Sequence, residues 1–415
     1  MRKKSVLAGC IAAAAFLVGG CGSSSNPNNV TGLSKRVLLS NQAAGVVTVM
    51  DAKNDRFSTK VMAANGAGKM LTASGFTAVM QSSANTVSII DDSQEKVITS
   101  VPTEGPATDI ALSPDGKTVW VATRNPGDVH AFDTATGNLL ATIAVPNAVR
   151  LSLSPQGTRL LVFADDPQTL PAGQTNAFFI IGTASPTSST PANPVTGTGL
   201  DQPFNGIWNA NENQAFILSC GAECGGTAAS VVQVDFSGST PVFSTPVAVA
   251  GATVGLLNGT TLFVAGTPPT LPVGLTCPAT LGSCGTLQSV NTSNLTASNP
   301  ILITDGLHLK MALTSNNRLY VGANSCTPVS SGTNLVKGCL SIFDTAAQTT
   351  TFPSESVFRQ SFDVTGFQQI SGRNVMYVIQ GGELDFFDIT TNAVDTNITT
   401  LDVVGRAIDV VQIDP

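Results

Sequence analysis

Six cysteines carry the most explicit chemistry in the sequence, and they fall as three close pairs. Cys220 and Cys224 lie in LSCGAECGG, Cys277 and Cys284 in LTCPATLGSCG, and Cys326 and Cys339 in NSCTPVSSGTNLVKGC. Six cysteines allow fifteen connectivities. Pairing within each stretch (220–224, 277–284, 326–339) is expected, because each pair shares one loop. Metal binding is the rival chemistry. A four-residue spacing can suit zinc, but no histidine or second CxxC accompanies the pairs. Only two histidines occur, His130 and His308. Neither has a Ser–His–Asp or metal partner apparent in sequence. No CxxCH, P-loop or GxGxxG entering a helix is present, so neither a cofactor nor a bound metal is expected.

The elements that must position these residues are short strands. Ala107–Val145 reads ATDIALSPDG KTVWVATRNPG DVHAFDTATG NLLATIAV: four β-rich segments broken by PDG, NPG and ATG turns. Four antiparallel strands per unit is the signature of a propeller blade. The third strand recurs as VVTVMD (Asp51), TVSIID (Asp91), DVHAFD (Asp133), AFFIIG (Gly182), SVVQVD (Asp235), TLQSVN (Asn291), LSIFD (Asp344) and ELDFFD (Asp388). Each terminal aspartate is expected to cap the hairpin turn that follows it, not to act chemically. The first unit lacks its first strand, and Gly405–Pro415 matches one. The fold class is therefore all-β, an eight-bladed propeller over residues 30–415, its ring closed by the C-terminal strand. Seven blades is the fallback, since the unit around 182–200 is degenerate.

SPDGKTVWVATRNPGDVHAFDTATGNLLATI resembles the YVTN-type β-propeller repeats of bacterial and archaeal surface proteins. The match is specific over about Gly66–Phe163 and loose beyond. The resemblance implies an exported propeller with a binding or scaffold role, not a reaction. Such propellers usually have seven blades, from which a count of eight departs. Lactonase propellers of related appearance hold a divalent metal on channel Glu, Asn and Asp residues. A channel-sited lactonase-like hydrolase is therefore the alternative function.

Aligning the first strands places Asp409, Lys69, Asp109, Arg150, Asn205, Val254, Lys310 and Thr365 at equivalent positions, with His308 beside Lys310. Asp109, Asn205 and Asp409 lack a Glu companion and lie among basic residues that would repel a cation. The alternating charges could hold a small polar ligand at the channel mouth. Pairing between neighbouring blades is the reading preferred here, because buried charges persist only when paired. His130 alternates within a third strand, which suggests a structural role.

The chain begins MRKKSVLAGCIAAAAFLVGGCGSSSNPNN, which resembles a bacterial lipoprotein signal. LAGC, ending at Cys10, has too short an apolar run before it. VGGC, ending at Cys21, has a full one. Residues 1–20 are read as the signal peptide, Cys21 as the lipidated residue, and 21–29 as a flexible tether. Gly22, where such families often carry a retaining Asp, favours the outer membrane. Of 415 residues 11% are charged. Losing residues 1–20 lowers the basic count from 20 to 17 against 27 acidic residues, a net charge near −10 that argues against a nucleic-acid partner. An exported compartment also favours disulfides over metal at the six cysteines.

All three cysteine pairs lie between second and third strands, in blades five to seven, and blade four has a long loop there too, ADDPQTLPAGQTN. These loops share one face of a propeller. Two readings stand: a stiffened recognition surface, or protection from proteolysis. The expected function is a non-catalytic envelope lipoprotein that docks a protein or an envelope polysaccharide on Cys220–Gly226, Leu275–Gly285 and Ser325–Gly338.

Overall fold

Second strands such as TVWVAT (Thr118–Thr123) are buried almost throughout, with no polar alternation. A strand sandwiched between neighbouring sheets buries both faces and therefore reads as a continuous apolar run. First and fourth strands alternate more, because one borders the channel and the other the rim. The computed structural model describes residues 30–165, 170, 176–331, 334–353, 362–394 and 400–414. The signal segment with Cys10 and Cys21, the tether, and much of the blade-four loop lie outside the described residues.

Eight sheets of at least four strands each follow one another along the chain. Blade 3 is the plainest: Ala107–Leu112, Thr118–Thr123, Asp128–Asp133 and Leu139–Ala144, paired in order. The degenerate unit is a full blade. Its fourth strand, Asn193–Thr196, pairs with Ala177–Gly182, so the count is eight. The core lies between blades. Trp120, Val129 and Ala141 of blade 3 pack with Leu151, Leu160 and Phe179 of blade 4 in one buried cluster.

The turn aspartates behave as their chemistry dictates. Asp133 accepts the Thr136 N–H at 2.8 Å, Asp388 that of Thr390 at 2.7 Å, and Asn291 that of Ser293 at 2.9 Å. Four residues after the third-strand end of six blades, the chain enters the left-handed region, at Asp55, Glu95, Gly137, Leu295, Gln348 and Asn392. Only blade 3 uses glycine there.

The ring closes as the chain ends suggest. Ala407–Gln412 pairs antiparallel with Arg36–Asn41 and becomes the innermost strand of blade 1. Arg36 clamps Asp414 with Nε at 2.7 Å and a terminal nitrogen at 2.6 Å. Its other terminal nitrogen reaches Glu95 of blade 2 at 3.1 Å. Across the opposite junction, Arg373 of blade 8 holds Asp55 of blade 1 at 2.6 Å.

Candidate functional site

Two features occupy one face of the ring, where second strands hand over to third strands and each first strand begins. One is a wall of disulfide-braced loops over blades 5 to 7. The other is a cavity at the channel mouth over blades 7, 8, 1 and 2.

The wall contains the disulfides 220–224, 277–284 and 326–339, with Cα–Cα separations of 5.6, 5.7 and 5.4 Å, within the usual range. The loops are also tied to one another by contacts absent from the sequence reading. Asp201, entering blade 5, accepts the Thr227 N–H, the Thr227 hydroxyl and the Ala228 N–H through Oδ2, at 2.6–2.7 Å. From the first disulfide loop, Glu223 Oε2 accepts the Thr267 N–H at 2.8 Å, where the blade-6 loop begins. Between blades 6 and 7 sits a buried ion pair, Lys337 Nζ to Asp305 Oδ1 at 2.8 Å. Lys337 also donates to the Ser283 carbonyl, and Asp305 accepts the Thr327 N–H at 3.1 Å. The Lys337 side chain has no solvent exposure. One pair thus fastens the loop ending at Cys284 to the loop between Cys326 and Cys339. The only trace in sequence is a charge one or two residues from a cysteine, in ECG and VKGC. Above the wall, Val273 stands fully exposed.

Burial pushes the Glu223 carboxyl from its ordinary 4.5 to about 7, against the Thr267 N–H that draws it down. The folded protein then holds this proton more tightly than the unfolded chain, so Glu223 lowers stability increasingly as pH rises from 4.5 to 7. Glu223→Gln, whose amide oxygen can still accept the Thr267 N–H, should raise unfolding free energy at about pH 8 by about 2–3 kcal/mol. The gain should vanish below pH 4.5. Urea denaturation at both pH values checks this, and an equal gain at both would contradict it.

At the channel mouth, first strands enter through β-bulges. Register shifts occur at Ala107/Asp109, Ala148/Arg150, Pro203/Asn205, His308/Lys310 and Val364/Gly366, and a bulge re-aims adjacent side chains. The sequence alignment is corrected at blade 8: Thr365 is the bulged residue, and Gly366 occupies the position equivalent to Asp409. A Cβ at Gly366 would lie 2.9 Å from Asp409 Oδ1, so a side chain there would displace the carboxylate. Val254 enters without a bulge and is buried against Phe263 and Leu287.

Lys69, Lys310 and Asp409 line one cavity of about 280 Å³. Lys69 Nζ pairs with Asp109 Oδ1 at 2.5 Å and Lys310 Nζ with Asp409 at 3.4 Å. Asp409 Oδ2 also accepts the Met70 N–H at 3.0 Å, and Asp109 Oδ2 the Leu151 N–H at 2.9 Å. Arg150 stacks on the Phe204 ring at 4.0 Å, and burial lowers its pKa. Asn205 Oδ1 accepts the Gly206 N–H at 2.9 Å. His308 does not line the cavity. It is wholly buried with Nε2 3.0 Å from the Thr304 carbonyl, and burial lowers its pKa to about 4. His130 is likewise buried, 3.2 Å from the Thr142 hydroxyl. Among the described residues no group of three His, Cys, Asp or Glu side chains could hold a metal ion.

No protein-family model matches the sequence, and no curated protein matches it. Solved structures do share its shape. The dihydro-heme d1 dehydrogenase NirN, in complex with DHE, has a TM-score of 0.65 at 12% identity, over 94% of this chain and 76% of that one. AztD from Citrobacter koseri scores 0.54 at 11% identity, over 91% and 97%. The Myceliophteria thermophila Cps50 (Swd1) β-propeller domain scores 0.51 at 10% identity, over 76% and 92%. The chain is a β-propeller. At these identities the likeness concerns the fold alone.

Proposed function

We propose that this chain is an envelope lipoprotein with YVTN-type repeats, anchored through Cys21 to the outer membrane, that binds a protein or an envelope polysaccharide on its loop wall. The observation that carries this reading is the cross-tying of three successive disulfide loops by Glu223 and by the Lys337–Asp305 pair. Ordered loops lose less entropy on binding. A stable partner needs about 800 Å² per side, which a wall over three blades can supply and the short SPDGK-type turns opposite cannot. Propellers as different as a dihydro-heme d1 dehydrogenase and AztD share the architecture, so the reading rests on the site and not on the fold. The lactonase-like alternative finds less support, since Asp109 and Asp409 spend their oxygens on lysines and backbone N–H groups.

Anchoring is tested by fractionation. Cys21→Ser should release the protein from membranes, while Cys10→Ser should leave it attached; loss of acylation in the Cys10 variant alone would refute the assignment. Docking is tested by pull-down from envelope extracts, followed by replacement of the loops on each face in turn. Replacing each cysteine pair with serine should weaken capture more than it lowers stability, because such small loops constrain local order more than the global fold. Capture that survives removal of all three loops would move the site elsewhere.

A further inference from the structure

The cavity at the channel mouth is lined by the apolar residues Met80, Leu309, Val364 and Ile408 and by Lys69 and Lys310. Its donors and acceptors do not balance. An ammonium carries three N–H donors. Lys69 commits donors to Asp109 Oδ1 and, at 3.3 Å, to the Ile110 carbonyl. Among the described residues Lys310 has only the long contacts to Asp409, at 3.4 and 3.5 Å. The carboxylates are far better supplied. Asp409 accepts the N–H groups of Met70 and Val410 besides Lys310, and Asp109 those of Leu151 and Ile110 besides Lys69. Charge shows the same excess, since the charged residues that line the cavity are Lys69, Lys310 and Asp409. Both lysine side chains keep about 30% of their surface exposed, so their spare donors can be reached.

We propose that this cavity binds a small monocarboxylate with a short apolar body. Its carboxylate takes the spare donors of Lys69 and Lys310, and its body packs on Met80, Leu309, Val364 and Ile408. A single negative charge cancels the excess at the mouth, whereas a dianion would overshoot it. The volume lies just below the ~300 Å³ at which pockets for drug-sized ligands begin, which limits the body to a short chain or one ring. The site is separate from the loop wall, and replacing the disulfide loops should leave it intact.

Isothermal titration of the intact protein with butyrate, hexanoate and benzoate tests this. Butylamine, butanol and inorganic phosphate at matched ionic strength serve as comparisons. Saturable binding is expected for the carboxylates and not for the amine or the alcohol. Binding should weaken as salt rises, as for a partly exposed charge pair. Lys310→Met should lower affinity about tenfold or more, the loss of a charge-assisted bond, while Lys117→Gln on the opposite face should not alter it. Met80→Trp fills the cavity with both lysines retained and should abolish hexanoate binding, which decides the matter if Lys310→Met does not fold. The proposal fails if no carboxylate binds by about 10 mM, a very weak affinity. It fails equally if phosphate or butanol binds as tightly as butyrate, or if Met80→Trp binds hexanoate normally.

Discussion

A chain truncated before Arg406 should lose cooperative unfolding and aggregate. The missing segment is the innermost strand of blade 1, not a tail. Its removal unpairs Val37 to Asn41 from their partners and leaves open edges, which recruit other chains. Ala407 and Val410 leave a buried cluster that includes Val37, Leu39, Tyr377 and Phe386, so blade 8 loses packing as well. Lys310 loses Asp409, and Arg36 loses its bidentate partner Asp414. In a closed ring every blade has two neighbours, so one missing strand weakens both flanking junctions. Calorimetry and size-exclusion chromatography would check the outcome. Restoration of a sharp transition by a peptide of residues 403–415 added in trans would tie the effect to strand pairing. An unchanged melting curve without the segment would mean that this strand does not close the ring.

The blade count and the closure were legible because both rest on local chemistry. An acidic residue ending a strand before a turn is a pattern that hydrogen-bonding needs dictate, and seven of the eight third strands keep it or its Asn equivalent. Cysteine pairing was legible for the same reason, since each pair closes within one loop. The channel mouth was only partly legible. A β-bulge adds one residue with no compulsory glycine or proline to mark it, so an alignment by strand starts placed Thr365 where Gly366 stands. His308 shows the same limit. Its side chain turns into the interior beside Thr304, while Leu309 and Lys310, across the bulge, line the cavity. The ties of the loop wall were not legible, because Asp201, Glu223, Asp305 and Lys337 find partners 22 to 54 residues away in sequence.

The Lys337–Asp305 pair should prove the most sensitive point of that wall. Lys337→Met removes the ammonium and leaves Asp305 with only N–H and O–H donors in a nearly water-free site. Removing one member of a buried ion pair typically costs about 3–5 kcal/mol, most of it the penalty of the charge left behind. Asp305→Leu should cost a similar amount for the mirror-image reason, an ammonium buried against a single carbonyl. The double variant Lys337→Met with Asp305→Leu removes both charges and should recover most of the loss, since apolar replacement of a whole buried pair is often neutral or better. Thr327 and Ser283 would still lose their acceptor, so the disulfide loops of blades 6 and 7 should loosen even where global stability returns. Stability and loop order would then separate. Denaturation should place the double variant close to the wild type, while hydrogen exchange at Thr327 and across 277–284 should accelerate. Partner capture should follow the exchange rate and not the stability. A double variant that is as unstable as either single one would show that the pair acts through geometry that apolar side chains cannot replace. One that captures its partner with full strength despite fast exchange would sever the link between loop order and recognition.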